Sequence, residues 1–287
     1  MSARQAASVL ALLWLAVGLS ACGVSRTIDP VAAAATKTEQ AGGSKISMTV
    51  DVSSPAGQSY EVTANGAFDQ QEGQMTMDMS NLLQSSGLPV GSGSGVEVRY
   101  LTENRDPVMY MDMPFLASKL PAGKDWLRLD LEKAGKSMGI DFSQLMGQSS
   151  QNPAQTLDML RASGNITEVG PDTVNGEPTT EYTGSVDLAK AAKLRGLPQS
   201  LVQKMEDTTG SSTIPVTVWV GSDGLVRQVV ESIDTTSGGQ TLTTKVTIDI
   251  SDYGTDVSVS APPSDEVLDL TDLASSALQQ TTTTSKA

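Results

Sequence analysis

The chain is predicted to fold as an α+β protein: a sheet of about ten mostly antiparallel strands, with three or four helices over its apolar face. Three observations carry this. Apolar and polar residues alternate over most of the sequence, which gives each strand one buried and one wet face. Helix-favouring segments are few, and each begins at a recognisable start signal. The 287 residues contain one cysteine and no histidine. No intramolecular disulfide or imidazole-built metal site can therefore form, and apolar packing with backbone hydrogen bonding holds the fold.

The elements follow in order. Asp29-Pro30 reads as an N-cap and first helical position for an alanine-rich helix through Gln40, stopped by Gly42-Gly43. Lys45 to Ser53 places Ile46, Met48, Val50 and Val52 on one face. Tyr60, Val62, Ala64 and Phe68 continue the pattern, with Gly66 as a bend or bulge. Met75, Met77 and Met79 alternate with polar residues, as do Val96 and Val98, Met109, Met111 and Met113, and Leu127, Leu129 and Leu131. The run GLPVGSGSG over 87–95 is a loop. Asn152-Pro153 starts a helix through Ser163, Asp187 caps a second, and Pro198 opens a third that ends near Glu206. Thr179 to Val186 is a strand between them. Ile214 to Val220, Leu225 to Ile233 and Leu242 to Ile250 are strands joined by turns at Ser222-Asp223-Gly224 and Ser237-Gly238-Gly239. Pro262-Pro263 ends the sheet, and Asp265 to Leu273 reads as a short helix. One domain then spans residues 29–275, followed by a polar, threonine-rich disordered tail over 276–287.

The first segment is an address. Arg4 gives a positive start, and Val9 to Leu19 is an apolar run of 11 residues. A bilayer needs roughly 20 residues, so the run suits a signal-peptide core instead. Leu19-Ser20-Ala21-Cys22 has the form of a bacterial lipobox. Residues 1–21 are thus read as a lipoprotein signal peptide. Cys22 is the acylated new N-terminus, and 22–28 is a short lipidated tether. Two or three acyl chains on Cys22, palmitate among them, hold a protein far better than one. The mature chain is expected on the extracytoplasmic face of the cell membrane.

Charge and composition exclude several functions. The net charge is -14, which repels phosphate backbones, so no nucleic-acid partner is expected. Without histidine, Ser-His-Asp and Cys-His catalysis are ruled out. Lys133-Ala134-Gly135-Lys136-Ser137 mimics the tail of a phosphate-binding loop, but Asp130 stands where its first glycine belongs. No metal or cofactor is expected. A glycosidase-like carboxylate pair is not singled out among the 33 acids. The chain is read as a non-enzyme.

One feature exceeds this background. Met75, Met77 and Met79, and Met109, Met111 and Met113, form two alternating triplets. Methionine adapts to irregular apolar guests, and it also fills gaps in ordinary cores. Two readings fit: an apolar cavity, and a packed interior.

The order of elements resembles the LppX/LprG-type lipoproteins of actinobacteria, related in shape to the LolA and LolB carriers. The resemblance rests on NPAQTLDML (152–160), TVNGEPTTEYTGSVD (173–187), IPVTVWVGSDGLV (214–226), Asp252-Tyr253-Gly254 and Pro262-Pro263. It implies a curved antiparallel half-barrel wrapped around helices and enclosing an apolar cavity. It further implies a membrane-anchored protein that binds acyl lipids or glycolipids and carries them in the cell envelope, with an envelope transport partner still to be found. It tips the methionine faces toward cavity lining. The expected lining is Met48, Val50, Val62, Met75, Met77, Met79, Val98, Met109, Met111, Met113, Val216 and Val218. The rival is a non-carrier envelope lipoprotein, a scaffold or sensor acting through protein contacts.

Overall fold

A computed structural model describes residues 30–54, 57, 59–85, 95–104, 106–137, 166–194, 197–237 and 240–271. The leader, Cys22, the tether, the 87–94 part of the glycine-rich loop, the helix expected from Asn152 and the C-terminal tail lie outside the described residues.

The chain opens with α1 (Pro30–Gln40), then β1 (Ser44–Ser53), β2 (Ser59–Phe68), β3 (Gly73–Asp78) and α2 (Ser80–Ser85). Next come β4 (Gly95–Glu103), β5 (Asp106–Asp112), a 3-10 turn (Pro114–Lys119), β6 (Trp126–Asp130) and α3 (Leu131–Ser137). After 138–165 follow β7 (Thr167–Val174), β8 (Glu177–Asp187), α4 (Leu188–Leu194) and α5 (Gln199–Thr209). β9 (Thr213–Gly221), β10 (Val226–Ser237), β11 (Gln240–Ser251), a 3-10 turn (Ser264–Glu266) and β12 (Val267–Asp269) complete it.

All twelve strands form one open sheet in the order β12-β6-β5-β4-β3-β2-β1-β11-β10-β9-β8-β7. Every pairing is antiparallel except β12 with β6. The sheet is the curved half-barrel expected, with two more strands than the sequence pattern suggested. Bulges fall between Val226 and Gln228 on β10 and between Glu168 and Gly170 on β7. The second bulge, with Pro171 two residues further on, blunts an otherwise free edge strand. At the other edge β12 is only three residues long.

Local chemistry explains the helix boundaries. Asp187 Oδ1 accepts the Lys190 backbone N–H at 2.9 Å, capping α4. Asp130 does the same for α3, accepting from Lys133 N at 2.9 Å. Helices α1, α4 and α5 lie on the inner face. Val31 and Ala34 of α1 pack against Tyr182, Val218, Val220 and Val226. Leu188, Ala192 and Val202 form a second cluster that reaches Ile214.

Three expectations are corrected, and the phosphate-loop mimic set aside on its sequence is placed. Gly66 makes neither bend nor bulge: it stays in register between Ile46 and Met75. A Cβ there would stand 2.2 Å from the Gln74 carbonyl oxygen, so glycine permits close approach of two backbones. Residues 265–270 do not form the expected helix: Ser264–Glu266 is a 3-10 turn and Val267–Asp269 pairs with β6. The phosphate-loop mimic becomes α3, with Lys133 bound to Asp130 and Lys136 to Glu132. The outer face is not wet throughout. Leu101, Val108, Tyr110 and Trp126 form a buried cluster there, covered by Val259 and Val267 of the C-terminal segment. That segment is pinned by Val259 N donating to Glu72 Oε2 at 2.9 Å and by Arg99 Nη1 donating to Ser260 O at 3.0 Å. The Arg99 guanidinium also lies 4.4 Å from the Trp126 ring centre.

Candidate functional site: the inner face of the sheet

Strand register decides which side chains share a face. One cross-strand row runs Tyr182, Val218, Val229, Ile248, Met48, Ala64, Met77, Val96 through eight strands. A second runs Ile250, Ile46, Gly66, Met75, Val98, Met111, Leu127, Leu268. Between β8 and β2 lies a third, Gly184, Val216, Glu231, Val246, Val50, Val62. Met109 extends the face beside Tyr100 and Leu129. These rows belong to the face that carries α1.

Ten of the twelve residues singled out in the sequence therefore sit on strands and share this face. Met79 and Met113 do not belong to strands, since β3 ends at Asp78 and β5 at Asp112. Met113 instead precedes the 3-10 turn. Of the ten, Val218 is buried, at 8% exposure, and the other nine are half-buried. They form an apolar surface more open than the sealed cluster beneath α1. Burial also pushes the inward-facing Tyr100 phenol up, partly offset by its bond to Thr102.

Sequence reasoning missed part of this face. Ile46, Ala64, Val229, Val246, Ile248 and Ile250 occupy equivalent positions; their alternation was visible, but their neighbours across the sheet were not. It also missed Glu231, which breaks the apolar rhythm of Val229 and Ile233.

The remaining chemistry is structural. Asp130 and Glu132 are both buried, at 3% and 5% exposure. Asp130 caps α3 and binds Lys133, while Glu132 binds Lys136. They do not face each other across a cleft as a hydrolytic pair. Arg227 is held by Glu177 at 2.6 Å and Asp223 at 2.8 Å. It lines a polar cleft of about 240 Å³ together with Tyr253 and Asp252. Among the described residues no group of three metal-ligating side chains is placed to hold an ion, and no helix is long and apolar enough to cross a membrane.

The fold defines a class: an open antiparallel half-barrel with helices against its apolar inner face. No family model matches the sequence. An uncharacterised 31.2 kDa protein of Streptomyces griseus is 27% identical over 256 residues, covering 85% of this chain and 80% of its own. A Streptomyces coelicolor protein, named as a candidate lipoprotein, is 24% identical over 253 residues, covering 86% and 78%. Among solved structures, LprF from Mycobacterium bovis aligns with a TM-score of 0.43 and 17% identity, over 81% of this chain and 95% of that one. The lipoprotein LppX of Mycobacterium tuberculosis aligns at 0.41 and 16%, over 81% and 100%. The LppX/LprG-type lipoproteins that the motifs resemble are thus found among the structural neighbours. At those TM-scores the fold rests on the sheet's own topology.

Proposed function

We propose that the mature protein is a membrane-tethered carrier that binds acyl lipids or glycolipids against the inner face of the sheet. The observation that carries this reading is the register. Met48, Met75, Met77, Met109 and Met111, with Val50, Val62, Val98, Val216 and Val218, fall on one half-open apolar face. Each methylene removed from water there contributes about 0.8 kcal/mol, enough for two or three chains to bind without a dedicated headgroup contact. Methionine suits the task because its thioether conforms to chains of different shape. Met79 and Met113, at the ends of β3 and β5, extend the surface toward the rim.

Cys22 supplies the anchor. Acylated after removal of residues 1–21, it holds the domain over 29–275 to the extracytoplasmic face of the membrane, close to its lipid source. The chemistry needs no catalytic group, and the acids outside the sheet interior serve as caps, ion pairs and solvated surface.

Native mass spectrometry of the chain from residue 22, carrying Cys22→Ala and purified from its own host, tests the reading. Co-purifying masses that organic extraction removes, and that fragment as acylated lipids, support the carrier. A mass that stays clean after incubation with host lipid extract refutes it and leaves the scaffold reading.

A further inference from the structure

From β12 to β9 the inner face of the described strands carries one charged side chain. Glu231 on β10 points into it, with Val246 opposite on β11 and Val216 opposite on β9. Along its own strand it lies between Val229, packed against the α1 cluster, and Ile233. The α4–α5 cluster reaches Ile214, next to Val216 on the same face of β9. Glu231 thus stands on β10 between two helix-covered clusters, and α5 packs against the same strand.

Three observations make this position informative. Glu231 is half-buried, and among the described residues its side chain has neither an ion-pair nor a hydrogen-bond partner. The other inward-facing acid on the described strands is Glu168, an exposed residue on edge strand β7. No lysine or arginine of the described strands faces in: Lys45, Arg99, Arg128 and Lys245 have outward register, and Arg227 turns out at the bulge toward Glu177 and Asp223. A carboxylate in an apolar strip costs free energy unless something hydrogen-bonds to it, and nothing within the sheet does.

We infer that Glu231 is the headgroup-reading residue of the cavity, and that the cargo carries uncharged hydrogen-bond donors, such as glycerol or sugar hydroxyls, at its polar end. This rests on the carrier reading and sharpens it to a substrate class. The carboxylate accepts hydroxyl donors, and it repels a ligand carboxylate or phosphate that finds no cation on the sheet to offset it.

The test compares two ligands with the same acyl chain, 1-monopalmitoylglycerol and palmitate. Each displaces the neutral fluorophore N-phenyl-1-naphthylamine from the Cys22→Ala chain at pH 8. The readout is the ratio of the two dissociation constants within each variant. The wild-type sequence is expected to favour the monoacylglycerol by about tenfold or more, the size of a hydrogen bond to a charged acceptor. Glu231→Gln should bring the ratio to within about threefold, chiefly by admitting palmitate. Equal affinities in the wild type overturn the inference even if the variant does not fold. So does an unchanged ratio in a folded Glu231→Gln. Binding of neither ligand overturns the carrier reading and this inference with it; binding of both without preference overturns this inference alone.

Discussion

Filling the methionine face separates an open cavity from a packed interior. Met77 lies between Ala64 and Val96, and Met111 between Val98 and Leu127. Replacing both with tryptophan adds the volume of roughly two methylenes at each site. On a lipid-lining surface that volume comes from the ligand. Displacing about four acyl methylenes at ~0.8 kcal/mol each removes ~3 kcal/mol, or more than 100-fold in affinity. The fold is expected to hold, because the new rings enter space the ligand vacates. In a sealed core the same change overpacks, costing ~1–3 kcal/mol per site and lowering the melting temperature by several degrees. Displacement titration and thermal melting on one preparation read both quantities. Weakened binding with an unmoved melting temperature is the expected pair. Unchanged binding in a folded double variant refutes the assignment of this face. A large drop in melting temperature with no bound lipid in the wild type identifies a packed core.

Four further outcomes follow from particular contacts. Gly66→Val should cost about 3 kcal/mol or more in urea unfolding, because its Cβ would meet the Gln74 oxygen at 2.2 Å and Met75 Cα at 2.8 Å, both backbone atoms. Arg99→Ala removes the contact with Trp126 and the bond to Ser260 O, and should lower stability by ~1 kcal/mol and speed hydrogen exchange over 257–261. Stability should fall as pH drops below about 4. Burial alone would raise the Asp269 carboxyl, but bonds from Thr271 and Arg128 outweigh it and hold the group below its ordinary value; bonds from Arg227 and the Leu225 N–H likewise outweigh burial at Asp223. Groups with lowered folded values stabilise above the unfolded value of about 3.9 and lose that contribution as they protonate below it. Asp112, raised by burial and by Asp125 and Glu97, works in the opposite sense. Denaturant midpoints taken from pH 6 to pH 2 measure the balance. Finally, Cys22→Ala should move the protein from the membrane fraction to the soluble extracytoplasmic fraction, read by fractionation and by loss of radiolabelled palmitate.

Much of the fold was legible because a half-buried strand writes its environment into a period of two. Met48-Val50, Met75-Met77 and Met109-Met111 face one way in the sequence and in the sheet. The alternation extended one residue too far at Met79 and Met113, since nothing local marks where a ladder loses its partner. β7 was not read, because an edge strand with seven of its eight residues outside the core has no apolar rhythm to display. The Val267–Asp269 segment shows no strand signal, because three residues pairing in parallel with β6 carry no periodicity of their own.

The α+β class and the faces of most strands are properties of neighbours along the chain, and so they could be read from it directly; the same reading suggests a lipobox at Cys22. The strand order and the resulting rows came from the packed sheet. It placed Val218, Val229, Ile248, Met48 and Met77 side by side, although the strand partners Met48 and Ile248 lie 200 residues apart in the chain. It placed the C-terminal segment over Trp126, making a buried cluster on the face expected to be wet. It also turned Glu231 inward among valines. Backbone hydrogen bonding is indifferent to side-chain identity, so register across a sheet emerges only when all the strands are packed at once.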